Sequence, residues 1–173
     1  MKKKDIHQIV RVNHAGELGA KWIYQGQLDW IKDAQAKEII RHMYEQELDH
    51  LKYFEKVMQV RQVRPTILMP FWKWVGKTAG AFSAALGSDA AMACTEAVED
   101  VIDEHYASQI RHLEKERPDE IELINTLKTF RADECNHRDI AATYDQSPSP
   151  LKRTLKKAVK IGVKLAISVS KRI

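Results

Sequence analysis

Two turns of this chain repeat one arrangement: Glu47 and His50 in EQELDH, and Glu134 and His137 in DECNH. A carboxylate and an imidazole three residues apart project from one face of a helix. Both pairs fall on stripes that are otherwise largely apolar. Ile40, Met43, Glu47, His50, Phe54 and Met58 recur at intervals of three and four, as do Ile124, Leu127, Phe130, Glu134, His137, Ala141 and Tyr144. Two more acids, Glu17 and Glu99, lie on the stripes of the segments that precede each pair. An acid or an imidazole turned toward a core is costly unless something pairs with it. Four inward carboxylates balance two divalent cations, and six ligands serve two metals. An oxygen-rich, nitrogen-poor set suits iron or manganese better than thiolate-seeking zinc.

The order is Glu, Glu-x-x-His, Glu, Glu-x-x-His, with Tyr24 and Tyr106 each standing seven residues after a lone Glu. A single Glu-x-x-His is a weak signal that a surface or satisfied core histidine explains better. Two such pairs, each preceded by a helix with an inward Glu, form the ligand pattern of ferritin-like di-iron and di-manganese bundles.

The elements that must carry these residues are helices. No Val- or Ile-rich alternating segment suggests a sheet, so the expected class is all-α: a ferritin-like four-helix bundle with two additional helices, one short and apolar, one basic and C-terminal. Helix one is expected from Asp5 to Ile31, with Ile6, Ile9, Asn13, Glu17, Ala20, Tyr24, Gln27 and Ile31 on one face. Helix two runs from a turn near Asp33 toward Val63. Pro65 and Pro70 bracket a break before PFWKWVGKTAGAFSAALG, which Gly87 ends. Ser88 is placed to cap the next helix, whose stripe is Met92, Thr95, Glu99, Ile102, Tyr106, Ile110 and Leu113. Pro118 suits the first turn of the following helix, with Asp119 and Glu120 at its positive start. Gln146 to Pro150 reads as a linker. The domain reading is one bundle over residues 1–145, including a membrane-facing helix at 65–87, and a basic helix over 151–173 of the same domain.

Composition narrows the function classes. The chain has 173 residues and a net charge of +4, but residues 151–173 hold eight Lys or Arg and no acid. The first 150 residues then carry 20 basic against 24 acidic side chains, a net of −4. That body would repel phosphate, so no nucleic-acid partner is expected. The start, MKKKDIHQIV, reads without a secretory or transit segment, which suggests a cytoplasmic protein. Cys94 and Cys135 form no C-x-x-C pattern and read as free thiols.

RVNHAGELGA with IYQGQ, then EQELDHL, VRPTILMPFW, AMACTEAVEDVIDEHY and FRADECNHRDIA resemble, in order, the signature blocks of the demethoxyubiquinone hydroxylase family. That family comprises di-iron monooxygenases of ubiquinone biosynthesis, and this chain is similar to its bacterial members. The resemblance implies two Fe ions held by Glu17, Glu47, His50, Glu99, Glu134 and His137. It also implies O₂-dependent hydroxylation of the quinol ring of a polyprenyl demethoxyubiquinone intermediate. No Gly-x-Gly-x-x-Gly fingerprint is present, so the reductant is expected from outside, with NAD(P)H a candidate, or through the quinone itself. A quinone-presenting helper protein is a further implication. Tyr106 and His105 are candidate catalytic residues, Tyr106 to relay electrons or contact the quinone. His14, Asp103 and His105 are candidates to orient the metal ligands by hydrogen bonding. His7, His42 and His112 are expected on the surface.

The substrate class has its own trace. Phe71, Trp72, Trp74 and Phe82 stand in an apolar segment that Lys73 and Lys77 interrupt, a pattern for lying in a membrane interface rather than spanning it. In the tail, Leu155, Val159, Gly162, Ala166 and Val169 run beside Lys152, Lys156, Lys160 and Lys164, which suits anionic lipid headgroups. The same patterns fit equally well with both segments simply packed on the bundle and the tail lysines in water; the family resemblance, which implies a membrane-resident quinone, makes the expected location peripheral, at the cytoplasmic face of the inner membrane. The alternatives are another ferritin-like metal protein that oxidises iron or scavenges peroxide, and a purely structural membrane-associated helical bundle.

Overall fold

The computed structural model describes residues 2–144 and 149–171, and the side chains of residues 5–144 and 149–171. Among the described residues there are six helices and no strand: α1 (Lys2–Trp30), α2 (Ala34–Arg61), α3 (Met69–Ala85), α4 (Ser88–Glu116), α5 (Ile121–Thr143) and α6 (Pro150–Ser170). The protein is all-α, with the helix complement of a ferritin-like bundle plus extra helices. It forms two compact units, Met1–Ala91 with Ile161–Ile173, and Met92–Lys160.

In the first unit, all eight positions expected on one face of helix one are buried, because an uninterrupted 3.6-residue period keeps them in line. Asp33 starts α2 by accepting a hydrogen bond from Ala36 N at 2.7 Å, a cap worth about 1 kcal/mol. The whole stripe from Ile40 to Met58 is buried. Pro70 occupies the first turn of α3, and Thr66 Oγ1 accepts from Leu68 N just before it. α3 lies on α1 in backbone contact. A Cβ on Gly80 would stand 1.9 Å from the Ile23 carbonyl oxygen, and one on Gly26 would stand 2.2 Å from that of Lys77. Only glycine permits that approach. Gln27, fully buried on α1, donates to the Ala91 carbonyl at 2.9 Å and anchors the start of α4.

Gly87, with φ of 113°, ends α3 as expected. Its carbonyl also accepts the first bond of α4, from Ala91 N at 3.0 Å. Gly87 thus holds the N-cap position expected of Ser88, which is already the first residue of α4.

In the second unit, the expected stripes of α4 and α5 are buried except at Ile102, Phe130 and Tyr144, which are half-buried. Pro118 lies in the turn before α5 rather than in its first turn. Arg117 explains the shift: its guanidinium grips Asp119 at 2.9 Å and Glu120 at 3.1 Å, closing a loop before the helix begins. Gln146 to Pro148 of the expected linker lie outside the described residues. Ser149 and Pro150 are not linker: Ser149 Oγ accepts from Lys152 N at 3.2 Å, and Pro150 is the first residue of α6.

The tail lysines differ from the expectation. Lys156 donates to Glu96 at 2.7 Å and Lys160 to Asp100, both acids on α4, while Lys152 is buried. Leu155 and Val159 are half-buried with them, and Leu151, Ile161 and Leu165 are the large apolar residues of α6 left exposed. The face expected to meet headgroups is therefore largely engaged within the protein, because Glu96 and Asp100 recur at the same four-residue spacing as Lys156 and Lys160.

Candidate metal centre

Helical spacing delivers the chemistry-bearing side chains, and burial removes them from water. On α1 the stripe that packs Ile9, Ala20 and Tyr24 inward also turns Glu17 inward, and on α2 the stripe of Met43 and Phe54 carries Glu47 and His50. These three residues converge: a carboxylate oxygen of Glu17, one of Glu47 and a ring nitrogen of His50 all lie within 4.8 Å of one another. His50 Nδ1 is 3.5 Å from Glu17 Oε2. The second unit repeats the construction. α4 turns Glu99 inward and α5 turns Glu134 and His137 inward, with ligand atoms again within 4.8 Å of one another. His137 Nδ1 is 3.2 Å from Glu134 Oε2. Glu47, Glu99 and Glu134 are 1% exposed and His137 is 0%.

Each triad therefore places two carboxylates and one imidazole at metal-ligand separation in a dry environment. Two carboxylates confined that closely repel each other unless a cation or a proton lies with them. The donors are oxygen and imidazole nitrogen, with no thiolate among them, which suits a divalent iron or manganese ion. The residues present fit the Glu plus Glu-x-x-His ligand set with which ferritin-like bundles hold di-iron or di-manganese centres.

Around the triads the structure separates the remaining candidates. Tyr24 and Tyr106 are buried on the same stripes as Glu17 and Glu99. The half-buried His105 has Nε2 at 2.8 Å from Gln109 Nε2, so the ring nitrogen accepts from the amide. His14 is buried; desolvation pushes its pKa below the usual histidine value, partly opposed by the charges of Glu55 and Glu17. His42 and His112 are exposed, whereas His7 is half-buried. Cys94 and Cys135 are free thiols.

Asp103 binds arginines. Its two oxygens accept from Arg131 Nε at 2.6 Å and Arg138 Nη1 at 2.9 Å. Burial pushes its pKa up, but hydrogen bonds from Arg131 and Cys135 and the two guanidinium charges outweigh that and hold it below the ordinary carboxylate range. Burial, together with the Asp103 charge, pushes the Cys135 thiol up. Sequence reasoning passed over Arg131 and Arg138. Their signal was present in FRADECNHRD, where they bracket the second Glu-x-x-His pair.

A family profile described as "Ubiquinone biosynthesis protein COQ7" matches residues 4–170. The chain belongs to this family. Within it, the chain is 43% identical over 172 residues to a protein of Bos taurus named "NADPH-dependent 3-demethoxyubiquinone 3-hydroxylase, mitochondrial", covering 99% of this chain and 79% of the relative. It is 44% identical over 169 residues to the "3-demethoxyubiquinol 3-hydroxylase" of Rhodospirillum rubrum, covering 97% of this chain and 78% of that protein. A yeast relative, named "5-demethoxyubiquinone hydroxylase, mitochondrial", is 36% identical over 182 residues, covering 97% of this chain and 78% of the relative. The COQ7 match takes in both triads, so the residues that the helical period turns inward lie inside the region that defines the family.

Proposed function

We propose that this protein is a 3-demethoxyubiquinol hydroxylase, a monooxygenase of ubiquinone biosynthesis. The observation that carries the reading is the pair of buried Glu/Glu/His triads in a chain of the COQ7 family. We assign Glu17, Glu47, His50, Glu99, Glu134 and His137 as the ligands of the di-iron centre that the family resemblance implies.

When bound, two ferrous ions supply electrons to O₂ and the oxidising power to place one oxygen atom on the quinol ring. The overall step consumes O₂, two electrons and two protons, and yields one ring hydroxyl and one water. The chain's own part is to hold and to shield. The four carboxylates neutralise four positive charges, the two imidazoles complete the ligand set, and Ile40, Met43, Phe54, Met92 and Leu127 keep bulk water out. Tyr106, two turns beyond Glu99 on the same face, is assigned to contact the quinol ring or relay an electron. His105, held by Gln109, is assigned to hydrogen bonding beside it. The reductant is external, and NADPH in the name of the bovine relative supports a nicotinamide nucleotide in that role.

A polyprenyl substrate supports attachment at a membrane, and among the described residues no helix is long and apolar enough to cross one. The exposed stripe Ile67, Phe71, Trp74, Phe82 and Leu86 supports peripheral insertion through α3, with Phe71 51% and Trp74 67% exposed. A location at the cytoplasmic face of the inner membrane, contact with anionic lipid and a quinone-presenting helper belong to the same reading.

The test is direct. Purified protein loaded with Fe(II), given a demethoxyubiquinol, O₂ and a reductant, should yield quinol heavier by one oxygen atom, with ¹⁸O from labelled O₂ in the product. Fe(II) oxidation and mineral accumulation without hydroxylation would overturn the reading in favour of a ferritin-like iron oxidase.

A further inference from the structure

Asp103 is one helical turn after Glu99 on α4, and the two arginines it binds bracket Glu134 and His137 on α5. Arg131, Cys135 and Arg138 are spaced four and three residues apart, so one face of α5 presents three donors to a single carboxylate. Each Asp103 oxygen takes one guanidinium, and the carboxylate is mostly buried. A slip of one residue would move α5 by about 1.5 Å along its axis and turn it by roughly 100°. No slip of that size preserves both charge-assisted bonds, because each arginine holds a different oxygen of the carboxylate.

We propose that Asp103 is a positioning residue: it latches α5 to α4 through Arg131 and Arg138 and so sets the register at which Glu134 and His137 meet Glu99. The inference rests on the metal-centre reading for its consequence, but the latch itself is a property of the metal-free chain. Exposed ion pairs between the same helices do not share the role. Lys128 and Glu114 also join α5 to α4, at 2.6 Å, with about half of each side chain in water, and such a pair constrains little.

Two readouts on the full-length protein test it, with Co(II) as the metal probe and amide hydrogen exchange on metal-free protein. Asp103→Asn should weaken Co(II) binding about ten- to a hundred-fold, the range for residues that orient metal ligands from behind. It should also speed exchange across 131–138 while leaving the helical circular dichroism in place. Glu114→Gln should leave both readouts at wild type. If Asp103→Asn does not fold, Arg138→Met, which leaves the Arg131 bond in place, should show the same two changes. A folded Asp103→Asn or Arg138→Met protein with wild-type Co(II) affinity and wild-type exchange would overturn the proposal, as would equal losses in Glu114→Gln. Wild-type protein that takes up no Co(II) yet shows Asp103-dependent protection of α5 would overturn the metal reading and support the latch.

Discussion

His50 Nδ1 stands 3.5 Å from Glu17 Oε2, with each side chain only 4% exposed and each on a different helix. A cation shared by such a pair stabilises the folded chain alone, because the unfolded chain does not bring the two together. Metal binding should therefore raise the thermal midpoint, by an increment equivalent to about 2.7 kcal/mol at a hundred-fold excess over Kd. His50→Ala should lose most of that increment. Calorimetry with and without Fe(II) under anaerobic conditions checks it, and an unchanged increment would remove His50 from the ligand set.

Glu99→Ala takes one carboxylate from the second triad. Iron content should fall and hydroxylation should be abolished, while helical content persists because α4 is also held by Met92, Tyr106 and Leu113. Iron analysis paired with circular dichroism decides it; full activity with intact iron would sink the assignment.

At Gly80 the constraint is steric. A Cβ there would meet the Ile23 carbonyl at 1.9 Å, and backbone cannot give way as a flexible side chain does. Gly80→Ala should cost at least about 1–3 kcal/mol in urea unfolding, the usual range for overpacking. A neutral result would show that α3 can lift from α1 without loss.

Asp103 predicts an acid-sensitive component of stability. Its carboxylate titrates below the ordinary Asp range when folded, so its contribution is fully present above the unfolded-state pKa and is lost as pH falls through the folded value. Asp103→Asn should destabilise the metal-free protein by about 1–3 kcal/mol near pH 7. The gap between wild type and variant should narrow below roughly pH 4, the ordinary Asp value. A gap independent of pH would mean that the charge is not what holds Arg131 and Arg138.

Membrane attachment should depend on rings more than on tail lysines. Trp74→Ser with Phe71→Ser should reduce vesicle co-sedimentation at both low and high salt, because burial of apolar surface is not screened. Lys156→Ala with Lys160→Ala should mainly lower stability, since both lysines already pair with Glu96 and Asp100. Loss of binding confined to the lysine variants would reverse that order.

The amino-acid order alone determined which side chains face inward. The 3.6-residue period is local, so Glu17, Glu47, His50, Glu99, Glu134 and His137 could be set on buried stripes by counting, and all six are buried. Helix ends set by local chemistry were legible too, as at Asp33 and Gly87. Where competing partners stand close by, the ends shifted: Arg117 draws Asp119 and Glu120 into a turn before α5, and Ser149 with Pro150 opens α6. What only the tertiary structure decided is which faces meet. Periodicity marks a face but not its neighbour, so Lys156 and Lys160 read as lipid-facing until α4 set Glu96 and Asp100 opposite them. The same limit hid the Asp103 latch, whose donors lie on another helix, and the contact at Gly26 and Gly80, where the decisive atoms are carbonyl oxygens that every residue carries.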